Sequence, residues 1–187
     1  PAPPGSNPLD RLAEGVFVGR ERELERLRAA VDGAKNGRGS LTMLVGEPGI
    51  GKTRTTQELA AYARGEGVTV LWGGARESAG APPYWPWVQA ARSYRDQTPE
   101  DERRRAWQPY AVQLQRIFTG LQELFPNLPP PPEVDSEEGA FQLYDAFASF
   151  LRSVAESKPL LVVLDDLHWA DSATLKLLIH LAHEIAH

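Results

Sequence analysis

The sequence predicts an α/β fold built on a parallel sheet, and three observations support this class. A short apolar run from Leu41 to Val45 leads into a glycine-rich turn and then into a stretch of helix-forming composition. A second apolar run, rich in β-branched residues, covers 68–72 and ends at two glycines. A third covers 160–164 and is followed by two acidic residues. Strands covered on both faces have continuous apolar runs of this kind, so we expect a parallel sheet between helices.

The glycine-rich turn carries the most specific motif of the chain. Residues 46–53 read GEPGIGKT, a full match to G-x-x-x-x-G-K-[ST]. Its three glycines are predicted to adopt torsions that a Cβ forbids, so that successive N–H groups surround a polyphosphate. Lys52 supplies a charge for the β and γ phosphates, Thr53 a hydroxyl for Mg²⁺, and the helix predicted from Thr53 to Arg64 its positive dipole end. The residues predicted to bind nucleotide in this turn are Gly46, Glu47, Pro48, Gly49, Ile50, Gly51, Lys52, Thr53 and Arg54.

Composition narrows the function classes. With 187 residues the chain suits one core, or one core with a helical insertion. Its net charge of −5 provides no overall basic field for nucleic acid or for an anionic membrane. The sequence contains no cysteine, which excludes disulfides and thiolate sites but leaves the redox compartment undetermined. It has no apolar stretch that approaches 18 residues and no signal-peptide pattern, so we expect a cytoplasmic location.

The chain before the glycine-rich turn divides into an arm and a helix. Residues 1–10 are rich in proline and glycine, so we assign 1–15 to a flexible arm and 16–187 to the domain. A helix is predicted to run to about Lys35, with Leu24, Leu27 and Val31 on one face. The segment just before it, Val18-Gly19-Arg20, reads by itself as a turn.

A helical insertion is predicted at about 81–136. Its first residues, APPYWPW, contain three prolines that are expected to prevent regular structure before Val88. Trp85 and Trp87 are expected to hold this loop against the domain, and stacking on a base or a partner is the alternative. Thr98 and Pro99 then begin a helix that carries one apolar stripe, kinked or restarted at Pro109. We expect the stripe to pack on the core, with a partner surface as the alternative; its members are Trp107, Tyr110, Leu114, Ile117, Leu121 and Leu124.

The last third of the chain contains a second informative stretch. A stiff extended connector at 125–132 precedes a helix predicted at about 137–156. The residues of that helix predicted to face inward are Phe141, Tyr144, Phe147, Phe150 and Leu151. After the strand that follows, Asp165 would hold Mg²⁺ and Asp166 would orient or deprotonate the attacking water. Capping of the next turn is the alternative for these two acids. For His168, a structural hydrogen bond is favoured over contact with a phosphate.

The final helix is predicted to begin at a cap formed by Asp171 and Ser172. Its predicted apolar face consists of Leu175, Leu178, Ile179, Ala182 and Ile185. The sequence from His183 to His187 is a literal H-E-x-x-H, which on a helix can bind Zn²⁺. Because no third ligand follows, we expect these residues to form a solvated face.

Three motifs in this order resemble the nucleotide-binding core of STAND-class P-loop ATPases, which are relatives of AAA+. They are FVGRE at 17–21, GEPGIGKT at 46–53 and LVVLDDLHWAD at 161–171, and the likeness is to the cores found in large LuxR-type transcriptional regulators and adenylate-cyclase-associated ATPases. The resemblance implies a P-loop NTPase fold with three α/β/α layers, ATP or ADP with Mg²⁺ as ligands, and Val18, Gly19 and Arg20 near the adenine and ribose. It also implies slow hydrolysis, since Asp166 stands where AAA+ motors usually have Glu.

The resemblance also implies that part of the domain lies elsewhere. The family continues with a sensor strand, a helical lid and a winged helix, so we expect a fragment that ends after the Asp165 strand and the following helix. Downstream domains or sister protomers would supply the missing strand and an arginine finger, and the fragment would bind nucleotide but hydrolyse it poorly.

The predicted function is that of an ATP-dependent regulatory switch in a larger signalling or transcriptional regulator. One alternative is an AAA+ motor or loader that acts on DNA, and another is a module that binds nucleotide without hydrolysing it. We expect no direct DNA contact and no membrane contact from this segment.

Overall fold

The computed structural model describes residues 20–77, 81–131 and 137–186. The predicted arm and the predicted roles of Val18 and Gly19 lie outside these residues, as does His187. The strands are β1 (Thr69–Gly74) and β2 (Leu160–Asp165). The helices are α1 (Glu21–Lys35), α2 (Lys52–Gly65), α3 (Trp85–Gln97), α4 (Glu100–Trp107), α5 (Ala111–Leu114), α6 (Leu121–Leu124), α7 (Glu137–Ser157) and α8 (Ser172–Ala186). Two short 3₁₀ turns lie at Gln108–Tyr110 and Leu167–Trp169.

Strands β1 and β2 pair in parallel, as predicted. The register runs from Thr69 opposite Leu160 to Gly74 opposite Asp165, so both strands end at the same edge. The pairing continues one step further, because the Ala75 N–H donates to the Asp165 carbonyl at 3.0 Å. The carboxyl edge of a parallel sheet is where α/β proteins place their ligands, and Asp165 lies on it.

The sheet lies between two apolar cores because its side chains alternate between its faces. Val70 and Trp72 face a core built from α1 and α2, whereas Leu71 faces a larger core. Helices α3 to α8 all contribute to the larger core. Its buried aromatic rings come from α3, α4, α7 and Phe118, and Trp107 stacks on Phe150 at 3.7 Å between ring centroids. Helices therefore pack against both faces of the sheet.

The prediction of a strand at 41–45 is wrong. This segment has no regular structure, and Met43 and Val45 are 66% and 85% exposed. Leu44 alone of the five packs on the smaller core. A strand requires a hydrogen-bonded neighbour, and the sheet of the described residues contains only β1 and β2.

The predictions of which apolar residues are buried are correct only in part, since Phe147 and Phe150 of α7 are buried as predicted but other predicted residues are not. In β2 only Val163 is buried, although coverage of both faces was expected. Helix α8 buries Thr174, Leu177 and Leu181, whereas Leu175, Ile179 and Ile185 of its predicted inner face are exposed. In α7, Phe141 was also expected to face inward, but it is 59% exposed. Leu160, Val162 and Leu164 of β2 pack beside the larger core without being fully buried, whereas Leu175 and Ile179 of α8 remain exposed among the described residues.

Helix α3 begins earlier than predicted. It starts at Trp85, and Pro86 lies in its first turn. The first N–H groups of a helix have no acceptor within the helix, so a proline there removes no helical hydrogen bond. Trp87 is 2% exposed, and its indole N–H donates to the Thr174 carbonyl at 3.2 Å. The prediction that this tryptophan holds the segment to the domain is confirmed, although it enters the core rather than the surface.

The apolar stripe after α3 packs on the larger core, as predicted. Trp107, Leu114 and Leu121 are buried in that core. The stripe restarts at Pro109 through a 3₁₀ turn, but it also breaks between α5 and α6, so it is not one helix. Helix α4 begins at Glu100 without a side-chain cap, so the predicted capping role of Thr98 is wrong.

The described helices include none with both the length and the apolar content needed to cross a bilayer.

Candidate functional site

The turn at 46–53 adopts the backbone that its glycines were predicted to allow at two of three positions. Gly49 and Gly51 have φ of +78° and +93°, in the region that residues with a Cβ rarely adopt. Gly46 does not have a positive φ, so the prediction that it adopts a torsion forbidden to a residue with a Cβ is wrong. A Cβ there would lie 3.1 Å from Cγ2 of Ile50, so close packing within the turn favours glycine instead.

Helix α2 begins at Lys52, directly after the turn. The Gly51 carbonyl accepts from both the N–H and the hydroxyl of Thr55, at 2.9 and 3.0 Å, and Thr55 is fully buried. The Thr56 hydroxyl donates to the Lys52 carbonyl at 3.0 Å. These bonds hold the first helical turn in place, and the positive end of the helix dipole lies at the loop.

The ammonium group of Lys52 folds back over the loop. Its Nζ donates to the carbonyls of Gly46 and Glu47, at 2.9 and 3.0 Å. Among the described residues it has no carboxylate within ion-pair distance. Its positive charge is therefore held at the loop without neutralisation by an acid.

The end of β2 meets the start of α2 through side chains. The Thr53 hydroxyl donates to Oδ2 of Asp165 at 3.2 Å, across 112 positions of sequence. Oδ1 of Asp165 accepts from the Asp166 N–H at 2.9 Å. Asp166 has φ +55°, a left-handed conformation that costs a non-glycine residue free energy and that is enriched at functional sites. The predicted metal ligands Thr53 and Asp165 are thus in contact.

A cavity of about 380 Å³ lies between the loop and the end of β2. Its walls are formed by Pro48, Gly49, Gly51, Lys52, Thr53, Arg54, Asp166 and His168. The guanidinium of Arg54 also pairs with Glu58 at 2.6 Å. Of the other predicted nucleotide-binding residues, Gly46, Glu47 and Ile50 lie in the same loop but not on the wall, and Arg20 precedes α1 without a side-chain cap bond.

His168 differs from its prediction. A structural hydrogen bond was expected, but its ring lines the cavity, with Nδ1 at 4.0 Å from Oδ1 of Asp166. The imidazole side chain is 64% exposed and packs beside the Trp169 ring. His168 therefore lines the cavity, a position that suits the less favoured alternative of the sequence analysis, contact with a phosphate.

Two side chains make supporting contacts that the sequence analysis did not predict. The Gln89 side chain on α3 donates to the Gly74 carbonyl at 2.9 Å and accepts from the Gly74 N–H at 3.4 Å, which completes the end of β1. Asp171 caps α8 through the N–H of Thr174 at 2.9 Å, as predicted, but it also accepts from the Tyr84 N–H at 3.2 Å. Tyr84 has φ +63°, so Asp171 helps to hold a strained start of α3.

The phenol of Tyr84 reinforces this junction. Burial, together with a hydrogen bond to the Tyr144 hydroxyl, raises the pKa of Tyr84 above its ordinary value, so this phenol stays protonated. The only sequence signal for either supporting residue was polarity: Gln89 lies on an otherwise apolar stretch of α3, and Asp171 belongs to a cap.

Of the histidines and the glutamate in the H-E-x-x-H sequence, His183 and Glu184 lie in the described part of the chain. Glu184 pairs with Arg152, and His183 is exposed. The nearby His180, which precedes this sequence on the same helix, contacts the rings of Phe141 and Tyr144. No three His, Asp or Glu side chains within the described ranges are placed to share a metal ion.

A family model described as "AAA ATPase domain" matches residues 16–186, nearly the whole chain. No curated protein and no solved structure matches the sequence.

Proposed function

Because the chain belongs to the AAA ATPase domain family, we propose that it is the ATP-dependent switch module of a larger cytoplasmic signalling or transcriptional regulator of the STAND class. The family supports nucleotide-binding ATPase activity. The observation that carries the site assignment is the 3.2 Å hydrogen bond between Thr53 and Asp165. It joins the loop to the strand end, as a shared metal site requires.

The loop is the proposed phosphate site. Its amides and the Lys52 ammonium would bind the β and γ phosphates, for which Lys52 would exchange its present carbonyl acceptors. Val18, Gly19 and Arg20 are the proposed contacts of the adenine and ribose. A cavity of about 380 Å³ is in the size range of small-ligand sites.

The residues at the strand end fit Mg²⁺. A hydroxyl and a carboxylate are oxygen donors, which this ion prefers, and Thr53 and Asp165 already lie in contact. When bound, the ion would neutralise charge on the phosphates. Both residues are therefore the proposed protein ligands.

Asp166 is the proposed catalytic residue. Its left-handed backbone directs the residue to the cavity wall, where its carboxylate would orient a water molecule and accept its proton as the water oxygen attacks the γ phosphorus. The bond from that phosphorus to the bridging oxygen breaks, which releases ADP and phosphate. The Asp166 side chain is 54% exposed and one methylene shorter than Glu, and both features favour slow turnover of a switch.

Two substitutions separate binding from hydrolysis. We expect Asp166→Asn to bind ATP as the parent does but to hydrolyse it about 100-fold more slowly, because a general base is lost. Asp165→Asn should instead weaken ATP binding only when Mg²⁺ is present. The measurements are calorimetric ATP titrations with and without Mg²⁺, and phosphate release by the intact protein.

The control for these variants is Asp145→Asn, which removes an exposed carboxylate on α7. Undiminished hydrolysis in Asp166→Asn would remove the catalytic role of that residue. Unchanged ATP after long incubation with the intact parent would favour the module that binds without hydrolysing.

We also propose that a further strand covers the free edge of β2, supplied by downstream domains or a sister protomer together with an arginine finger. The support is the apolar surface that the described structure leaves exposed. Leu41, Met43 and Val45 have no covering element in the described structure, and neither do Leu175 and Ile179. An added strand would pair with the unpaired backbone and bury these side chains.

Thermal unfolding tests this strand. We expect residues 1–187 alone to unfold at a lower temperature than the intact protein, or to form a dimer, because apolar surface that should be buried is exposed. The two proteins are compared by circular dichroism, and their masses are measured by analytical ultracentrifugation. An isolated segment that stays monomeric and unfolds at the temperature of the intact protein would refute the proposal.

A further inference from the structure

A second cavity, of about 450 Å³, lies within the helical insertion and shares no residue with the cavity at the loop. We call it the insertion cleft. It opens between α3, α4 and the turn that leads into α6. Its volume is in the range of sites that take small organic ligands.

The floor of the insertion cleft is apolar. Trp107, Phe118 and Leu121 are buried members of the larger core, and Leu124 is packed beside them. These side chains are held by the core, since Trp107 stacks on Phe150 and meets Phe118 edge-on at 5.3 Å between ring centroids. The floor is thus a preformed apolar surface rather than a flexible one.

The rim of the insertion cleft is basic. Four arginines line it, against two acids, Glu100 and Glu123; the arginines are Arg92, Arg95, Arg103 and Arg104. Two of the four guanidiniums are already engaged. Arg104 pairs with Glu100 at 2.9 Å, and Arg95 pairs with Asp96 at 2.9 Å.

The other two guanidiniums have no carboxylate within ion-pair distance among the described residues. Arg92 lies over the Trp85 ring at 5.0 Å. Arg103 is half-buried, and its Nε is inaccessible to solvent and has no hydrogen-bond partner. This Nε is too enclosed for a ligand to reach, so a bound anion would accept hydrogen bonds from the terminal nitrogens of the guanidinium.

We propose that the insertion cleft binds a small organic anion, with its carboxylate or phosphate between Arg92 and Arg103 and its apolar body on the Trp107–Phe118 floor. Guanidinium groups favour planar anions because they can donate two parallel hydrogen bonds. The apolar floor selects for anions that carry a ring or a branched chain over inorganic ones. This site stands apart from the nucleotide site and does not depend on it.

The test uses 2-naphthoate as the probe and 2-naphthamide as its neutral counterpart. Binding is followed by the NMR shift of the Trp107 indole N–H, which is assigned with Trp107→Phe, and by calorimetry. We expect 2-naphthoate to shift this resonance and to bind about tenfold more tightly than the amide, the ratio for one charge-assisted interaction.

Substitutions locate the anion. Arg103→Met and Arg92→Met retain most of the apolar stem and should each weaken 2-naphthoate about tenfold, with little effect on the amide. The matched control is Arg105→Met on the same helix, whose side chain is 74% exposed and lies outside the cleft. That variant should bind 2-naphthoate within about twofold of the parent, since it loses only an exposed ion pair with Asp101 and no group that lines the cleft.

Three results would overturn the site. They are equal affinity for acid and amide, equal affinity in Arg92→Met, Arg103→Met and the parent, and no response of Trp107 at millimolar probe.

A further variant, Lys52→Ala, separates this site from the loop. It should bind 2-naphthoate normally even if it loses ATP binding. A parallel loss of both ligands would instead place the probe at the loop and would leave the nucleotide proposal standing. Amide spectra of each variant establish that it is folded.

Discussion

Replacing Lys52 with alanine is expected to weaken ATP binding about 100-fold, since two charge-assisted hydrogen bonds of about 1.5 kcal/mol each are removed. In the structure, the carbonyls of Gly46 and Glu47 accept hydrogen bonds from this ammonium and hold it at the loop. Those two bonds are exposed, so the substitution should change stability little. The measurement is a calorimetric titration of the intact protein with ATP and Mg²⁺.

The control for this substitution is Lys176→Ala, which removes an exposed lysine of α8 and the same formal charge. It should leave the ATP affinity within about twofold of the parent, because long-range charge is screened at physiological salt. Equal affinity of the Lys52 variant and the parent would discard the phosphate-site assignment. A loss in both variants would indicate a general charge effect instead of a specific contact.

Gly73→Ala is expected to destabilise the fold by about 3 kcal/mol, at the upper end of overpacking effects. A Cβ on Gly73 would lie 1.9 Å from the carbonyl oxygen of Pro86 and 2.7 Å from its carbonyl carbon. Both atoms are backbone, and Pro86 is fully buried, so no side chain can move to relieve the clash. Helix α3 would have to move away from β1.

Urea unfolding at equilibrium measures this effect, with Gly74→Ala as the control. Gly74 is the next residue of the same strand and has no atom within 4 Å of an added Cβ. Its substitution should change the free energy of unfolding by less than about 1 kcal/mol. Coincident midpoints for the two variants would show that α3 does not pack against β1 as closely as the structure has it.

The conformation of the glycine-rich turn at 46–53 could be predicted in detail because it is local. The positive φ of Gly49 and Gly51, and a helix that begins beside Lys52, depend on eight consecutive residues and on the steric freedom of glycine. The contact between Thr53 and Asp165 was also implied, since both residues were predicted to hold the same Mg²⁺ ion. Gly46 is the exception, because its packing against Ile50 depends on a side-chain position that the pattern does not specify.

The faces that are buried could not be predicted in the same way. Helix α8 has apolar residues on more than one side, and periodicity does not say whether Leu177 or Ile179 meets the core. The role of Gln89 was equally hidden, because its partner is a backbone group of β1, 15 residues away. Neither fact follows from local spacing.

The sequence by itself determined the parallel strand pair, the glycine turn and the acids that follow β2, because each rests on the steric and polar properties of a few adjacent residues. Only the tertiary structure decided that 41–45 stays unpaired and that a basic cleft forms inside the insertion. A strand or a cleft exists only when distant segments lie side by side. Hydrogen bonds between strands depend on which strands become neighbours in the fold. The basic charge of the cleft likewise depends on the fold, because it brings four arginines together.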